Sequence, residues 1–104
     1  MARPGLEPGD RLVVKVGTAS LVGPAGRPDA HKLESVCAGL AAARTAGVDV
    51  IFVSSGAIAA GLAPLGLDGK PSDIPSLQAA AAVGQGHLLG EYTRLLAEKD
   101  ILAA

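Results

Sequence analysis

The stretch VDVIFVSSGAIAAG, Val48 to Gly61, decides the fold. Its first half is apolar and β-branched (Val48, Val50, Ile51, Val53), enough for one strand buried on both faces. The chain then turns at Ser54-Ser55-Gly56 and enters AIAAGL, small and apolar side chains suited to a short helix. A strand that meets a helix through a Ser/Gly turn sets hydroxyls and backbone N–H groups at the C-terminal edge of a sheet. Open α/β sheets bind ligands at that edge. An earlier strand, Arg11 to Val16, ends the same way in Lys15-Val16-Gly17-Thr18. The two strand ends are expected to form half of an active site.

Between the strands, Gly17 to Pro28 is a Gly/Pro loop without a period, whose Ala19–Val22 portion either packs back on the domain or closes over a ligand. Asp29 is a suitable N-cap for the helix that follows. Leu33, Val36, Cys37, Leu40 and Ala43 recur every three or four residues and give it one apolar face, with Lys32, Glu34 and Arg44 lying away from it. Gly47 ends it by supplying a left-handed conformation. Strand, helix and strand make a βαβ unit, with a right-handed crossover if the strands are parallel. Residues 1–10, with Pro4, Gly5, Pro8 and Gly9, read as a flexible lead, and residues 11–104 as the domain.

Downstream, Ala57 to Ala63 is a short helix that Pro64 helps to end, and Leu65 to Pro75 is a loop. Either Asp73 or Ser76 caps the last helix. Leu77, Ala80/Ala81, Gly84, Leu88, Tyr92 and Leu95/Leu96 trace its apolar stripe. Gly84, Gly86 and Gly90 each cost about 1 kcal/mol relative to Ala in a helix, and close helix packing is the simplest reason for them. Ile101 to Ala104 reads as the start of a third strand. A domain ending there leaves sheet edges open, so the chain is expected to be the N-terminal portion of a longer domain, or a truncated product.

Composition removes several function classes. With 9 Lys+Arg against 10 Asp+Glu and a net charge of -1, no long-range field attracts nucleic acid or an anionic membrane. Aromatic residues make up 2% and apolar residues 49% of the 104, so the core is built from Ala, Val, Leu and Ile. No apolar run is long enough to span a membrane, and the N-terminus has no export signal. The single cysteine, Cys37, lies on an apolar helix stripe and reads as a structural thiol, in keeping with a reducing cytoplasm.

Lys15 sits near the end of an otherwise apolar strand (Leu12, Val13, Val14, Val16), where a buried unpaired ammonium would be costly. Its head is expected either to snorkel to solvent at the sheet edge or to meet an anion there. Beside the Gly17 backbone it suits a phosphate and would stabilise charge on a moving phosphoryl group. A Walker A loop is absent, because the lysine precedes the glycines on a strand, and so is GxGxxG. Ser54, Ser55 and Gly56 offer a seat for a carboxylate or phosphate, or Ser55 serves as an N-cap. Neither serine sits in the nucleophile pattern GxSxG. His31 and His87 are far apart in sequence, and no His, Cys or carboxylate spacing suits a metal. Gln78 and Gln85 are two turns apart and face alike, toward the mouth of a site, a neighbouring subunit or solvent.

Taken as a set, Leu12-Val13-Val14-Lys15-Val16-Gly17-Thr18, Val53 to Gly61 and Gln78-Ala79-Ala80-Ala81-Ala82-Val83-Gly84-Gln85 resemble the glutamate-phosphorylating branch of the amino acid kinase family. The resemblance implies a three-layer αβα sandwich with a mainly parallel sheet, here truncated. It implies ATP-dependent phosphorylation of the γ-carboxylate of L-glutamate, with Mg²⁺, in the cytoplasm, as the first step of proline synthesis. By position, Lys15 is the catalytic, nucleotide-contacting lysine, with Gly17 and Thr18 beside it on the phosphate path. Ser55, Gly56 and Ala57 hold glutamate. A homo-oligomer is implied for the full-length protein, with no nucleic acid and no membrane as partners.

Leu77 stands where the family has a basic residue. The family's glutamate-binding Asp and Asn, its second lysine and its adenine region fall beyond residue 104, so the chain alone is expected to be inactive. Many members also carry an RNA-modification-enzyme-like C-terminal domain. A carbamate, acetylglutamate or aspartate kinase and a non-catalytic binding module are the alternatives.

Overall fold

Two short runs rich in β-branched residues and a helical period near four sort this chain into a sheet and a helical layer. The computed structural model describes residues 5–24 and 26–104. β1 (Arg11–Val16) and β2 (Asp49–Ser54) pair in parallel, running from Arg11 opposite Asp49 to Val16 opposite Ser54. Parallel neighbours need a long crossover, and α1 (Ala30–Thr45) supplies it. Asp29 caps α1, its carboxylate accepting the Lys32 N–H at 3.2 Å. Leu33, Cys37, Leu40 and Ala41 are its buried face, with Val36 packed against them.

Gly47 leaves the helix at φ +86°, the left-handed conformation the sequence predicts. It is also tightly covered: a Cβ there would lie 3.1 Å from the Pro8 Cβ. The chain before β1 docks on this point. The Glu7 N–H donates to the Asp10 carboxylate at 2.8 Å, and the Gly9 N–H donates to the Gly47 carbonyl at 2.9 Å. The first four residues of the expected lead, and Ala25 in the loop before α1, lie outside the described residues.

α2 (Ala57–Leu62) and α3 (Ile74–Ala97) pack so closely that their backbones touch. A Cβ on Gly84 would overlap the Ala57 carbonyl oxygen, and one on Gly61 would overlap the Ala80 carbonyl oxygen. Close packing therefore accounts for Gly84. It does not account for Gly86 and Gly90, which face open space. Of the two candidate caps, Asp73 does the work, accepting the Ser76 N–H at 3.0 Å. α3 buries Ala80, Gly84, Leu88, Tyr92, Leu95 and Leu96, along the stripe read from the sequence.

Two expectations are corrected. β2 is buried on one face only. Val14, Val16, Val50 and Phe52 pack on the helical core, whereas Val13, Ile51 and Val53 on the other face are 54%, 48% and 46% exposed. The reason is that the helices meet the sheet on one side, so the described residues form two layers around a two-stranded parallel sheet. Ile101 to Ala104 form no strand. After Asp100 at φ +60°, the Ile101 N–H donates back to the Leu96 carbonyl, and Ile101 and Ala103 pack on the core. Burial of those two side chains, not a ladder partner, fixes the segment.

Candidate active site

Because β1 and β2 run the same way, their C-terminal ends share one edge of the sheet. The link between them is made at Ser55. Its backbone N–H and its hydroxyl both donate to the Val16 carbonyl, at 3.0 and 3.1 Å. The Thr18 hydroxyl donates to the Ser55 oxygen at 3.3 Å. The loop after β1 and the turn after β2 are thus joined through their side chains, and the hydroxyl of Ser55 is oriented before any ligand arrives.

Gly56 follows at φ +95°, a conformation that disfavours any side chain. A Cβ there would also touch a Leu21 methyl at 3.5 Å. Leu21 is 1% exposed and anchors the loop, which makes a short 3₁₀ turn at Thr18–Ser20. Lys32 straps that loop from α1: its ammonium donates to the carbonyls of Ala19 and Val22, at 3.1 and 2.7 Å. Of the two roles offered for Ala19–Val22, the structure shows the segment packed back on the domain. Lys32 was legible only as a polar-face residue, because nothing in its spacing points to carbonyls ten or more residues earlier.

An open groove of about 620 Å³ runs along α2 from this junction. Thr18, Ser55, Gly56 and Ala57 line it, with Ile58, Ala59 and Leu62 as apolar wall. Its charged lining groups among the described residues are Asp68 and Lys70, from the loop between α2 and α3. Sequence reasoning passed over both; the signal was an Asp-Gly-Lys triplet in a loop that leads back toward the same helix. Lys15 and Gly17 do not line the groove. Lys15 lies opposite Val53 on the sheet face that is open, exposed at the same sheet edge. Space above Gly17 is clear, with nothing within 4 Å of where a Cβ would be.

Ser54 turns the other way, as strand alternation requires. Its hydroxyl shares a 2.8 Å hydrogen bond with the Tyr92 hydroxyl and donates to the Ser55 carbonyl at 2.9 Å. The Tyr92 ring meets Phe52 edge-on, centroids 4.9 Å apart. Burial pushes the Tyr92 phenol above its ordinary pKa, with the Ser54 bond working against the shift. Ser54 therefore fastens the strand to α3 and is not part of the groove. Cys37 is fully buried, and burial pushes its thiol up, offset in part by the Lys99 ammonium. A neutral packed thiol fits the structural reading.

The histidines line separate clefts, His31 beside Glu34 and Lys99, His87 beside Glu91 and Pro64. Gln85 borders a small pocket with Ser54 and Tyr92, while Gln78 is exposed. Among the described residues, no three His, Cys, Asp or Glu side chains gather, and no helix is long and apolar enough to cross a membrane.

Proteins of similar sequence carry one description. A glutamate 5-kinase of Thermobifida fusca is 50% identical over 94 residues, 90% of this chain and 24% of the relative. One from Streptomyces avermitilis is 48% identical over 101 residues, covering 96% and 27% of the two chains. One from Bifidobacterium longum is 53% identical over 81 residues, covering 78% and 22%. The chain thus spans about a quarter of the length of the curated relatives it matches. The family's own sequence model, described as the amino acid kinase family, matches residues 10–104, and this chain belongs to that family.

Proposed function

We propose that this chain supplies the acceptor side of a glutamate 5-kinase: ATP-dependent phosphorylation of the L-glutamate γ-carboxylate to L-glutamyl 5-phosphate, the first step of proline synthesis. The observation that carries the reading is the junction at the shared strand edge, where Ser55 and Thr18 are hydrogen-bonded beside a groove and Lys15 is exposed on the adjoining face. In this reading Ser55 holds the γ-carboxylate, helped by the N–H groups of Gly56 and Ala57. Those two amides lie at the start of a helix, where no intrahelical acceptor exists.

Lys15 acts on the phosphoryl group. Both reactants are anions, so a fixed cation and correct alignment matter more than activating a nucleophile. The clear space over Gly17 fits a phosphate approaching the backbone there, with Thr18 next to it. ATP, when bound, supplies the phosphoryl group, and Mg²⁺ accompanies it; no residue of this chain is assigned to the metal. The same reading gives residues 11–104 the place of the substrate-binding half of an amino acid kinase domain, in a protein that is cytoplasmic and homo-oligomeric at full length. It also gives the exposed face of Val13, Ile51 and Val53 a second helical layer, completing a three-layer αβα sandwich.

The test is a chimera in which residues 10–104 replace the matching segment of the Thermobifida fusca relative, assayed with glutamate, aspartate, acetylglutamate and carbamate. Glutamate-dependent ADP release is expected. Preference for another acceptor would favour a different amino acid kinase, and a folded chimera with no turnover would favour a binding module.

A further inference from the structure

We infer that Tyr92 and Ser54 are positioning residues for the acceptor: together they hold the Ser55–Gly56 peptide so that the Gly56 N–H is aimed into the groove. This rests on the glutamate reading above and brings into it two side chains that do not line that groove. The Ser54 hydroxyl donates to the Ser55 carbonyl at 2.9 Å, which commits its only proton. The 2.8 Å hydrogen bond between the Ser54 and Tyr92 hydroxyls is therefore made by the tyrosine proton. The result is a relay from Tyr92 to Ser54 to the Ser55 carbonyl. Its origin is rigid, because Tyr92 is 5% exposed and its ring is set edge-on against Phe52.

The peptide plane converts that relay into an aim. In a planar trans peptide the carbonyl and the N–H that follows it point to opposite sides. With the Ser55 carbonyl drawn back to Ser54, on the side of α3, the Gly56 N–H is turned away from α3. Gly56 itself lines the groove, and its N–H donates to no other described residue. The neighbouring Ser55 hydroxyl spends its proton on the Val16 carbonyl, so the amide is a donor at this turn left open to an anion. Glycine takes either sign of φ about equally, so Gly56, at φ +95°, does not by itself keep the peptide one way up. The hydroxyl pair does. A carboxylate then meets a donor that is already in place, and binding costs no reorientation of the turn.

The experiment is steady-state kinetics on the chimera described above. The KM for glutamate is the readout, since loss of folded enzyme lowers the apparent kcat and leaves KM alone. Ser54→Val and Ser54→Thr have the same shape and differ by one hydroxyl. Ser54→Val is expected to raise the KM for glutamate roughly three- to tenfold, the range of one hydrogen bond, and to leave the KM for ATP unchanged. Ser54→Thr should keep the unsubstituted value. Tyr92→Phe should raise the KM for glutamate in the same direction. The double variant Ser54→Val/Tyr92→Phe should be no worse than Ser54→Val, because the tyrosine acts only through the serine. An equal KM for Ser54→Val and Ser54→Thr, with Ser55→Ala still raising it, overturns the inference and leaves the glutamate reading standing. So does a double variant in which the two single effects multiply. If the unsubstituted chimera releases no ADP with glutamate, the glutamate reading fails and the inference fails with it.

Discussion

At the scale of single residues, the junction depends on a few side chains whose neighbours are fixed. Gly56 is at φ +95° and Gly84 lies against the Ala57 carbonyl, so both resist a methyl group, for different reasons. Gly84→Ala forces two helix backbones apart and should lower unfolding free energy by about 1–3 kcal/mol or more, measured by urea denaturation. Gly56→Ala is strained in the backbone, at a cost of about 1–2 kcal/mol, and should also weaken glutamate binding because the turn would re-form. Tyr92→Phe removes the hydrogen bond to Ser54 and should cost about 0.5–1.5 kcal/mol. Because burial raises the Tyr92 pKa, its neutral form favours the fold below the ordinary tyrosine value, and that contribution is lost as pH rises through the folded value. The phenylalanine variant should lack this part of the alkaline destabilisation.

Among the elements, α3 begins at Asp73, whose carboxylate is held below the usual range by the Ser76 side-chain hydroxyl and N–H. A depressed pKa gives stability that is present above the ordinary carboxylate value and lost as pH falls below about 4. Asp73→Asn keeps a good cap but cannot titrate, so its acid unfolding curve should lose this dependence. The one-sided sheet makes a sharper contrast. Phe52→Ala should cost about 3–5 kcal/mol, whereas Ile51→Thr, one residue along, should change stability by about 0.5 kcal/mol or less. The elements were legible because their signals are local: Asp29 three residues before the Lys32 amide, Gly47 after the last apolar position, and a stripe from Ala80 to Leu96. What was not legible depends on the other side of each contact. The run Val50–Val53 reads as doubly buried, since a sequence does not state which faces are covered. The tail after Asp100 reads as a strand, since a short apolar run looks alike whether a ladder or a core takes it up.

For the whole molecule, the candidate site lies where two strand ends and two loops meet, so its parts came from far along the sequence. Lys15, Thr18 and Ser55 were readable because each lies at or just after the C-terminal end of a strand. Asp68, Lys70 and the Lys32 strap were not, because a loop's path over the fold carries no period. The strap matters to function: Lys32→Met should free the Thr18–Val22 turn, seen as faster amide exchange at Leu21 and Val22, and loosen the Thr18–Ser55 bond. The division of labour between Lys15 and Ser55 is tested most directly by steady-state kinetics of the chimera. Lys15→Ala should lower kcat about 10²- to 10³-fold with little change in the KM for glutamate. Ser55→Ala should raise that KM while keeping most of kcat. A Lys15→Ala chimera that turns over glutamate at the unsubstituted rate would contradict a phosphotransferase site at this strand edge.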